Sequence, residues 1–339
     1  PMNPNWRSFL ESTDAVFDGA SNEILHFGDA AAELKAAQTL TVLVPLTHLG
    51  QILATGDDTK TFLHTQFTSD INHLGAEQVQ HSAWCTAKGR MQASFLIWRD
   101  GDNYQLALAA DLQEATQKRL QMFVLRAKVK LTSLNESKVL LGLAGPQAAE
   151  ALANAGLPCP AASMTSAATN GIQILAIEAG RYIISAPFDA MPALWQKLSN
   201  KARPAGLPVW RWLDIENAFP LVTLATKEEF VPQMADFEKL GGVSFHKGCY
   251  PGQEIVARTQ YLGKVKRHLF RLKSNTPMQA GSNLYSPDYP DQACGMVVSA
   301  AASPNGGFVA LAVVQSNFAA SAHLDSREGP LIEAVAVNP

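Results

Sequence analysis

A single thiol, Cys249, lies in the stretch HKGCYPGQEIVAR (residues 246–258), just after the cations His246 and Lys247 and shortly before a carboxylate, Glu254. Gly248 and Gly252 allow backbone angles closed to other residues, and Pro251 fixes φ and removes a donor, so the stretch reads as a tight loop. A neighbouring cation favours the thiolate, which is the nucleophile and the metal ligand. Exposed on such a loop, Cys249 would be nucleophilic or redox-active, with Lys247 activating it. Buried, it would be a small hydrophobe, as free cysteines often are. Residues 253–262 (QEIVARTQYL) alternate enough to be read as a strand, which puts the thiol on a loop entering a strand.

The elements that must position this loop come from a chain of 339 residues, long enough for two or three domains. With 47% hydrophobic and 17% charged residues the chain has material for a core without disulfides or metals. A net charge of −3 argues against a broad electrostatic footprint for nucleic acid. The other cysteines, Cys85, Cys159 and Cys294, are far apart and form no CxxC pair, so neither a metal site nor a disulfide framework is expected. Glu11, Asp14, Asp18 and Glu23 interrupt any signal peptide, which makes a reducing cytoplasm the expected location. No apolar run approaches the ~20 residues of a membrane-spanning helix.

Residues 1–38 are polar and Ala-rich and show no clear core pattern. LTVLVPLTHLGQILATG then reads as strands broken by Pro45 and ended by Gly56, and DDTKTFLHTQFTSDI as a helix capped by Asp57 or Asp58. SAWCTAKGRMQASFLIW reads as two strands joined at Lys88-Gly89-Arg90. DLQEATQKRLQMFVL carries a capping-box pattern, Asp111 with Glu114, and a face of Leu112, Ala115, Leu120 and Phe123 that suits burial. KVLLGLAG is a strand, GIQILAIEAGRYIISAP a hairpin around Ala179-Gly180, and DAMPALWQKLSNK and LPVWRWLDIENAFP are helices. After Arg267 short strands and Gly-rich turns predict a small β-barrel or sandwich. The whole is an α+β arrangement.

KGCYPGQE resembles the signature of the YgfZ family of folate-binding proteins, relatives of the T-protein (aminomethyltransferase) of glycine cleavage. The likeness extends to ATGDDTKTFLHTQFTSDI, CTAKGRMQASF, LDIENAFPLV and FVPQMADFEKLGGVSFHKGCYPGQE, and so covers most of residues 40–270. It implies a T-protein-like fold: two interlocked ferredoxin-like α+β domains and a C-terminal β-barrel around a central folate pocket. The implied domains are 40–135 with 210–265, 136–209, and 266–339. Tetrahydrofolate, or a one-carbon derivative, is the implied cofactor. Trp210 would stack on the pterin, as a large aromatic face can. Glu216 would hydrogen-bond it, and Lys88 and Arg90 would meet the glutamate tail. Tyr250, Gln253 and Glu254 of the signature complete the set. A second family aromatic falls at Leu49, which cannot stack.

The aminomethyltransferases carry an Asp-Asp pair where this chain has Ala93 and Ser94, and neither can act as a carboxylate base. The resemblance therefore implies a folate-dependent accessory protein for assembly or repair of iron–sulfur enzymes. Through a radical tRNA methylthiotransferase it would serve tRNA modification, with Cys249 and Lys247 as the reacting groups. The rivals are a one-carbon transferase and a non-catalytic RNA- or protein-binding scaffold. The basic run Lys264, Lys266, Arg267, His268, Arg271 and Lys273 would split between two faces of a strand, so direct nucleic-acid binding is not expected. A monomer is expected.

Overall fold

The computed structural model describes residues 2–339. Contacts divide the chain into two units. The first holds residues 1–59, 74–80 and 96–210, the second residues 60–73, 81–95 and 211–339.

The first unit has a six-stranded sheet ordered Thr165–Thr169, Ile172–Glu178, Arg181–Pro187, Lys138–Ala144, Val42–Pro45 and Arg203–Pro204. Arg181–Pro187 and Lys138–Ala144 pair antiparallel in register from Arg181 opposite Ala144 to Pro187 opposite Lys138. Leu43, Leu141, Leu143, Ile174 and Ile184 bury their side chains with Leu152, Trp195 and Leu198 from the helices Ala148–Asn154 and Met191–Leu198. The expectation of a coreless N-terminus is wrong. Asn3 caps the helix Pro4–Ser12, and Trp6 and Leu10 of that helix are in the same core. Only two buried residues in nine carry the pattern, too few to stand out from the polar background.

The N-terminal segment is also tied down by a buried carboxylate. Glu33 Oε2 accepts from the amides of Phe27 (2.9 Å) and Asp29 (3.3 Å), and Oε1 from the amide of Gly206 (2.8 Å). Three amide donors supply the solvation that burial removes. Gly206 has to be glycine, because a Cβ there would lie 2.4 Å from the carbonyl oxygen of Leu25.

Also in this unit, Leu49–Thr55 pairs antiparallel with Asn103–Ala109 on one side and Lys130–Ser133 on the other. The helix Ala110–Val124 follows Asn103–Ala109 directly. Its N-cap is Ala109, without a side-chain cap, so the expected capping box at Asp111 does not form. The amide of Ala110 instead donates to the carbonyl of His48. The buried face is Leu112, Gln113, Thr116, Leu120 and Val124, and not the expected Ala115 and Phe123, which are exposed. The glutamines explain the rotation. At i, i+4 and i+8, Gln113, Gln117 and Gln121 line one side of the helix and reach across to the strand Lys130–Ser133. Gln121 accepts from the amide of Leu131 (3.1 Å) and donates to the carbonyl of Val129 (3.4 Å). Gln117 donates to the carbonyl of Leu131 (3.4 Å), and Gln113 to the carbonyl of Gln51 (2.8 Å). The carboxamides stand in for a neighbouring strand along a sheet edge that would otherwise be open to association.

The second unit ends in a six-stranded antiparallel sheet ordered His323–Leu324, Asn283–Tyr285, Gly295–Ala302, Phe308–Gln315, Arg267–Ser274 and Glu333–Ala336. One side packs Leu272, Val297, Ala312 and Val314 with Met278 and Ile332. The other packs Leu269, Val298, Leu311 and Val313 on Ile215, Phe230 and Ala235. The basic run identified in the sequence is dispersed as expected. Arg267 Nη2 donates to the carbonyl of Ala293, His268 Nδ1 lies 3.0 Å from Asp236 Oδ1, and Arg271 caps a helix end through the carbonyls of Ile215 and Glu216.

The double variant Gln117→Ala/Gln121→Ala removes three bonds from the strand edge, each contributing about 1 kcal/mol. The expected result is a Tm several degrees lower, with new concentration-dependent association in sedimentation velocity. An unchanged Tm and a concentration-independent sedimentation coefficient would show that the glutamines do not guard the edge.

Candidate functional site

The thiol loop is held from below by the segment that follows the helix Thr59–Gln66. Thr68 crosses between two chains of the second unit. Its amide donates to the carbonyl of Ala83 (3.0 Å) and its carbonyl accepts from Ser244 (2.8 Å). Its hydroxyl donates to the carbonyl of Gly242 (2.6 Å) and accepts from the amide of Ala83 (3.1 Å). The approach to the loop is thereby stitched to the strand Val79–Cys85.

Lys247 anchors the loop itself. Its ammonium donates to the carbonyls of His64, Phe67 (2.5 Å) and Ser69 (2.7 Å), and lies 5.1 Å from the centre of the Tyr250 ring. An ammonium has three hydrogens, and three carbonyls near the C-terminal end of a helix receive them. Burial lowers the Lys247 pKa to about 8, partly offset by Asp70. Its three donors point at backbone and fix the residues before Cys249, so Lys247 makes its hydrogen bonds away from the thiol it was expected to activate.

Beside these carbonyls sits a cluster that the sequence reading passed over. His73 Nδ1 lies 2.6 Å from Asp70 Oδ2, and His64 Nδ1 accepts from the amide of Asn72 (3.3 Å). Burial and the Lys247 charge lower the His64 pKa. The same nitrogen lies 3.5 Å from Asp70 Oδ1. Burial raises the Asp70 pKa, but hydrogen bonds from the His73 ring and amide outweigh it and leave a net lowering. His64 and Asp70 both lie in the segment ATGDDTKTFLHTQFTSDI that carries the family resemblance, which was the available signal. Among the described residues no group of three or more His, Cys, Asp or Glu is placed to hold a metal ion.

Gln253 braces the loop from its far side. Its Nε2 donates to the carbonyls of Lys247 and Gly248, both at 3.2 Å, and its amide to the carbonyl of Tyr250 (3.1 Å). It opens a helix, Gln253–Tyr261, where a strand was expected. The adjacent pair Ile255-Val256 breaks alternation, Val256 alone is buried, and Glu254 reaches Arg258 four residues on at 2.8 Å. Gly252, at φ +82°, abuts the hairpin turn: a Cβ there would lie 2.5 Å from the carbonyl of Thr86 and 2.7 Å from Gly89 Cα. The Lys88-Gly89-Arg90 turn and the thiol loop therefore meet through two glycines. Cys249 is exposed at the crown between these supports. Tyr250 is buried under it, its phenol pKa pushed up by burial and by nearby Cys85. Cys85 is buried as well, its thiol pushed to about 12 by burial.

Lys88 and Arg90 are exposed beside the thiol loop, with Arg90 Nη1 also donating to the carbonyl of Glu229 (2.9 Å). Both suit an anionic tail. Glu216 is exposed at the end of the helix Leu207–Glu216. It lines a groove of about 730 Å³ with Trp212, Arg271, Lys273, Phe308 and Glu333. Gln253 and Glu254 direct their side chains to protein partners. Trp210 does not fit a stacking platform. It is 2% exposed, Arg181 Cζ lies 4.9 Å from its ring centre, and its edge packs where a Cβ on Gly142 would be 2.5 Å away. Leu49 lines a small cavity of about 170 Å³ with Trp6 and Lys138. Ser94, in the place of an aminomethyltransferase carboxylate, is buried and accepts the amide of Val222 (3.0 Å), while Ala93 is fully buried.

The sign of the Lys247 linkage is testable. Its pKa falls from 10.5 to about 8 in the folded state, so between these values the unfolded chain binds more protons. The wild type should gain stability from this group as pH rises from 8 to 10.5, and Lys247→Met should lack that contribution. Denaturant midpoints at pH 8 and 10 would show a less favourable change in the variant. Parallel pH profiles would refute the buried-ammonium account. The same variant should alkylate faster at Cys249 than wild type at pH 7, because the loop loses its anchor.

The GCVT N-terminal domain family matches residues 21–241. The tRNA-modifying protein YgfZ of Escherichia coli O45:K1 (strain S88 / ExPEC) is 33% identical over 234 residues, 68% of this chain and 72% of that protein. That of Shigella dysenteriae serotype 1 (strain Sd197) is 32% identical over the same shares. The crystal structure of glycine cleavage system aminomethyltransferase T from Bartonella henselae matches with a TM-score of 0.83 at 20% identity, covering 98% of this chain and 96% of that one. The fold is therefore the aminomethyltransferase type that the resemblance implied, and the chain belongs to the YgfZ family within the T-protein-like superfamily.

Proposed function

We propose that this protein acts in tRNA modification as a tetrahydrofolate-binding accessory to iron–sulfur enzymes such as a tRNA methylthiotransferase, with Cys249 as the group it presents to them. The observation that carries the proposal is the contrast between an exposed Cys249 and the density of bonds below it. Lys247, Gln253 and Gly252 immobilise the backbone on both sides of a residue whose own side chain is left at the surface. A thiol held in this way is available as a soft ligand for iron or as a partner for a client cysteine. The relatives' name, tRNA-modifying protein, supports the process.

Folate enters through the family resemblance. Lys88 and Arg90 would meet its carboxylates, and Glu216 its pterin; Trp210 would act only by holding the core beneath Arg181. Folate bound there would supply a one-carbon carrier. The transferase rival is disfavoured by Ser94, whose hydroxyl is already taken by a backbone amide. A scaffold role would leave Cys249 inert. The proposed setting is a cytoplasmic monomer.

Two measurements test the proposal. Cells lacking the endogenous homologue, supplied with wild type or Cys249→Ser, are assayed for cluster-dependent tRNA methylthiolation; rescue by wild type alone is expected, and equal rescue would make the thiol dispensable. Isothermal titration with tetrahydrofolate should give saturable binding, weakened about tenfold or more in Lys88→Glu/Arg90→Glu. No binding to wild type would remove folate while leaving the thiol result standing.

A further inference from the structure

The first unit carries a surface that the proposed function does not use. Residues 118–130 hold five of the chain's 27 Lys and Arg (Lys118, Arg119, Arg126, Lys128 and Lys130) and none of its 30 Asp and Glu. All five are exposed, and none forms an ion pair among the described residues. A solvated helix face normally mixes signs and pairs them. Here the cations stand unpaired in a chain whose net charge is −3.

Apolar groups are interleaved with them. Met122 is 71% exposed, Phe123 47% and Leu125 87%. Leu125 terminates the helix Ala110–Val124 at φ +52°, a conformation that favours glycine. A leucine that is both strained and almost fully in solvent contributes nothing to its own fold, and strain of this kind collects at functional positions. The loop is also fixed in place. The Lys128 amide donates to Asp58 Oδ2 (2.7 Å), the Asp58 amide donates to the Lys128 carbonyl (3.2 Å), and a Cβ on Gly56 would lie 2.0 Å from that carbonyl. The glutamine ladder holds the other side, from the helix to the strand that begins at Lys130. The acids closest to the stretch in sequence or across the Asp58–Lys128 contact include Asp57, Asp58, Asp111 and Glu114, of which Asp58 accepts the Lys128 amide.

We infer that this surface docks RNA, with the five cations on phosphates and Phe123, Met122 and Leu125 against unstacked bases. Phosphate neutralisation supplies affinity, and exposed aromatic and apolar faces take bases without needing a sequence. A membrane surface fits less well. The helix turns its large apolar side, Leu112, Leu120 and Val124, into its own unit, so the exposed side offers three apolar groups against five cations. The inference departs from the expectation that direct nucleic-acid binding is absent, and it does not depend on folate or on Cys249. The run from Lys264 to Lys273 is dispersed by its hydrogen bonds, whereas residues 118–130 carry five exposed cations and no acid over a helix end, a loop and the start of a strand.

The test is fluorescence anisotropy of labelled bulk tRNA with the full chain across a salt series. Wild type should bind saturably, and Arg119→Ala/Arg126→Ala/Lys128→Ala/Lys130→Ala should lose at least tenfold in affinity and flatten the log–log salt slope by about 3. Lys264→Ala/Lys266→Ala, exposed cations of the other unit, should bind within twofold of wild type. Leu125→Gly should weaken binding several-fold while raising or preserving Tm, an outcome that a folding defect cannot produce. The inference is overturned if wild type shows no saturable binding, if the fourfold variant binds as wild type does, or if the Lys264/Lys266 variant loses as much. It is also overturned if the fourfold variant loses sedimentation with phosphatidylserine vesicles and the protein ignores tRNA, which would assign the surface to a membrane.

Discussion

A buried ammonium determines the geometry of the thiol loop. Taking a lysine out of water is unfavourable unless each of its hydrogens finds an acceptor. Lys247 meets that demand with the carbonyls of His64, Phe67 and Ser69, which a helix end and the crossing at Thr68 leave pointing the same way. The requirement runs in both directions. The carbonyls need donors because the helix Thr59–Gln66 has ended, and the loop needs a fixed point because Gly248 and Gly252 leave its backbone free to move. One residue answers both, so the helix, the crossing and the loop are set as a unit, and the same charge helps to lower the His64 pKa.

From that anchor the different fates of two thiols follow. Cys85 and Cys249 both belong to the second unit, and Cys85 lies near the buried phenol of Tyr250, the residue after Cys249. Cys85 ends a buried strand and its thiol is pushed to about 12, which removes it from chemistry at neutral pH. Cys249 lies one residue before the buried tyrosine and is exposed. Burying Tyr250 turns its neighbour outward, while Gly252 lets the chain come back against the hairpin turn at Gly89 within 2.7 Å of where a side chain would begin. The loop presents its cysteine because everything flanking it is committed inward.

Much of this was legible in the sequence. The turn at Lys88-Gly89-Arg90, the hairpin at Gly180, the helix into Glu216 and the sheet after Arg267 all rest on local signals: glycine between apolar runs, a 3.6-residue period, short strands between Gly-rich turns. The family motif pointed to Cys249, which the fold leaves exposed. What the sequence hid were partners far away in the chain. Lys247 was read as activating Cys249 because the two are only two positions apart, yet its contacts lie about 180 residues earlier. Trp210 was read as a platform because indoles can stack, while Gly142, which makes room for it, and Arg181, which covers it, lie on other strands. The helix at Gln253 was read as a strand because the apolar residues of 253–262, the pair Ile255-Val256 among them, do not fix a period.

The glutamines were hidden for a different reason, and they show how the two units solve one problem. Glutamine in a helix reads as a solvent-facing residue. Here Gln253 holds the carbonyls of Lys247 and Gly248, and Gln117 and Gln121 hold those of Leu131 and Val129. A carboxamide has the donor and acceptor of a peptide group without a charge to desolvate, so it can satisfy irregular backbone where a strand cannot follow. Lysine serves that purpose only where three carbonyls converge, as at Lys247. A single carbonyl or an alternating amide and carbonyl calls for glutamine. The choice between the two residues is therefore set by how many backbone acceptors meet at a point, which is a property of the folded chain and is absent from any window of its sequence.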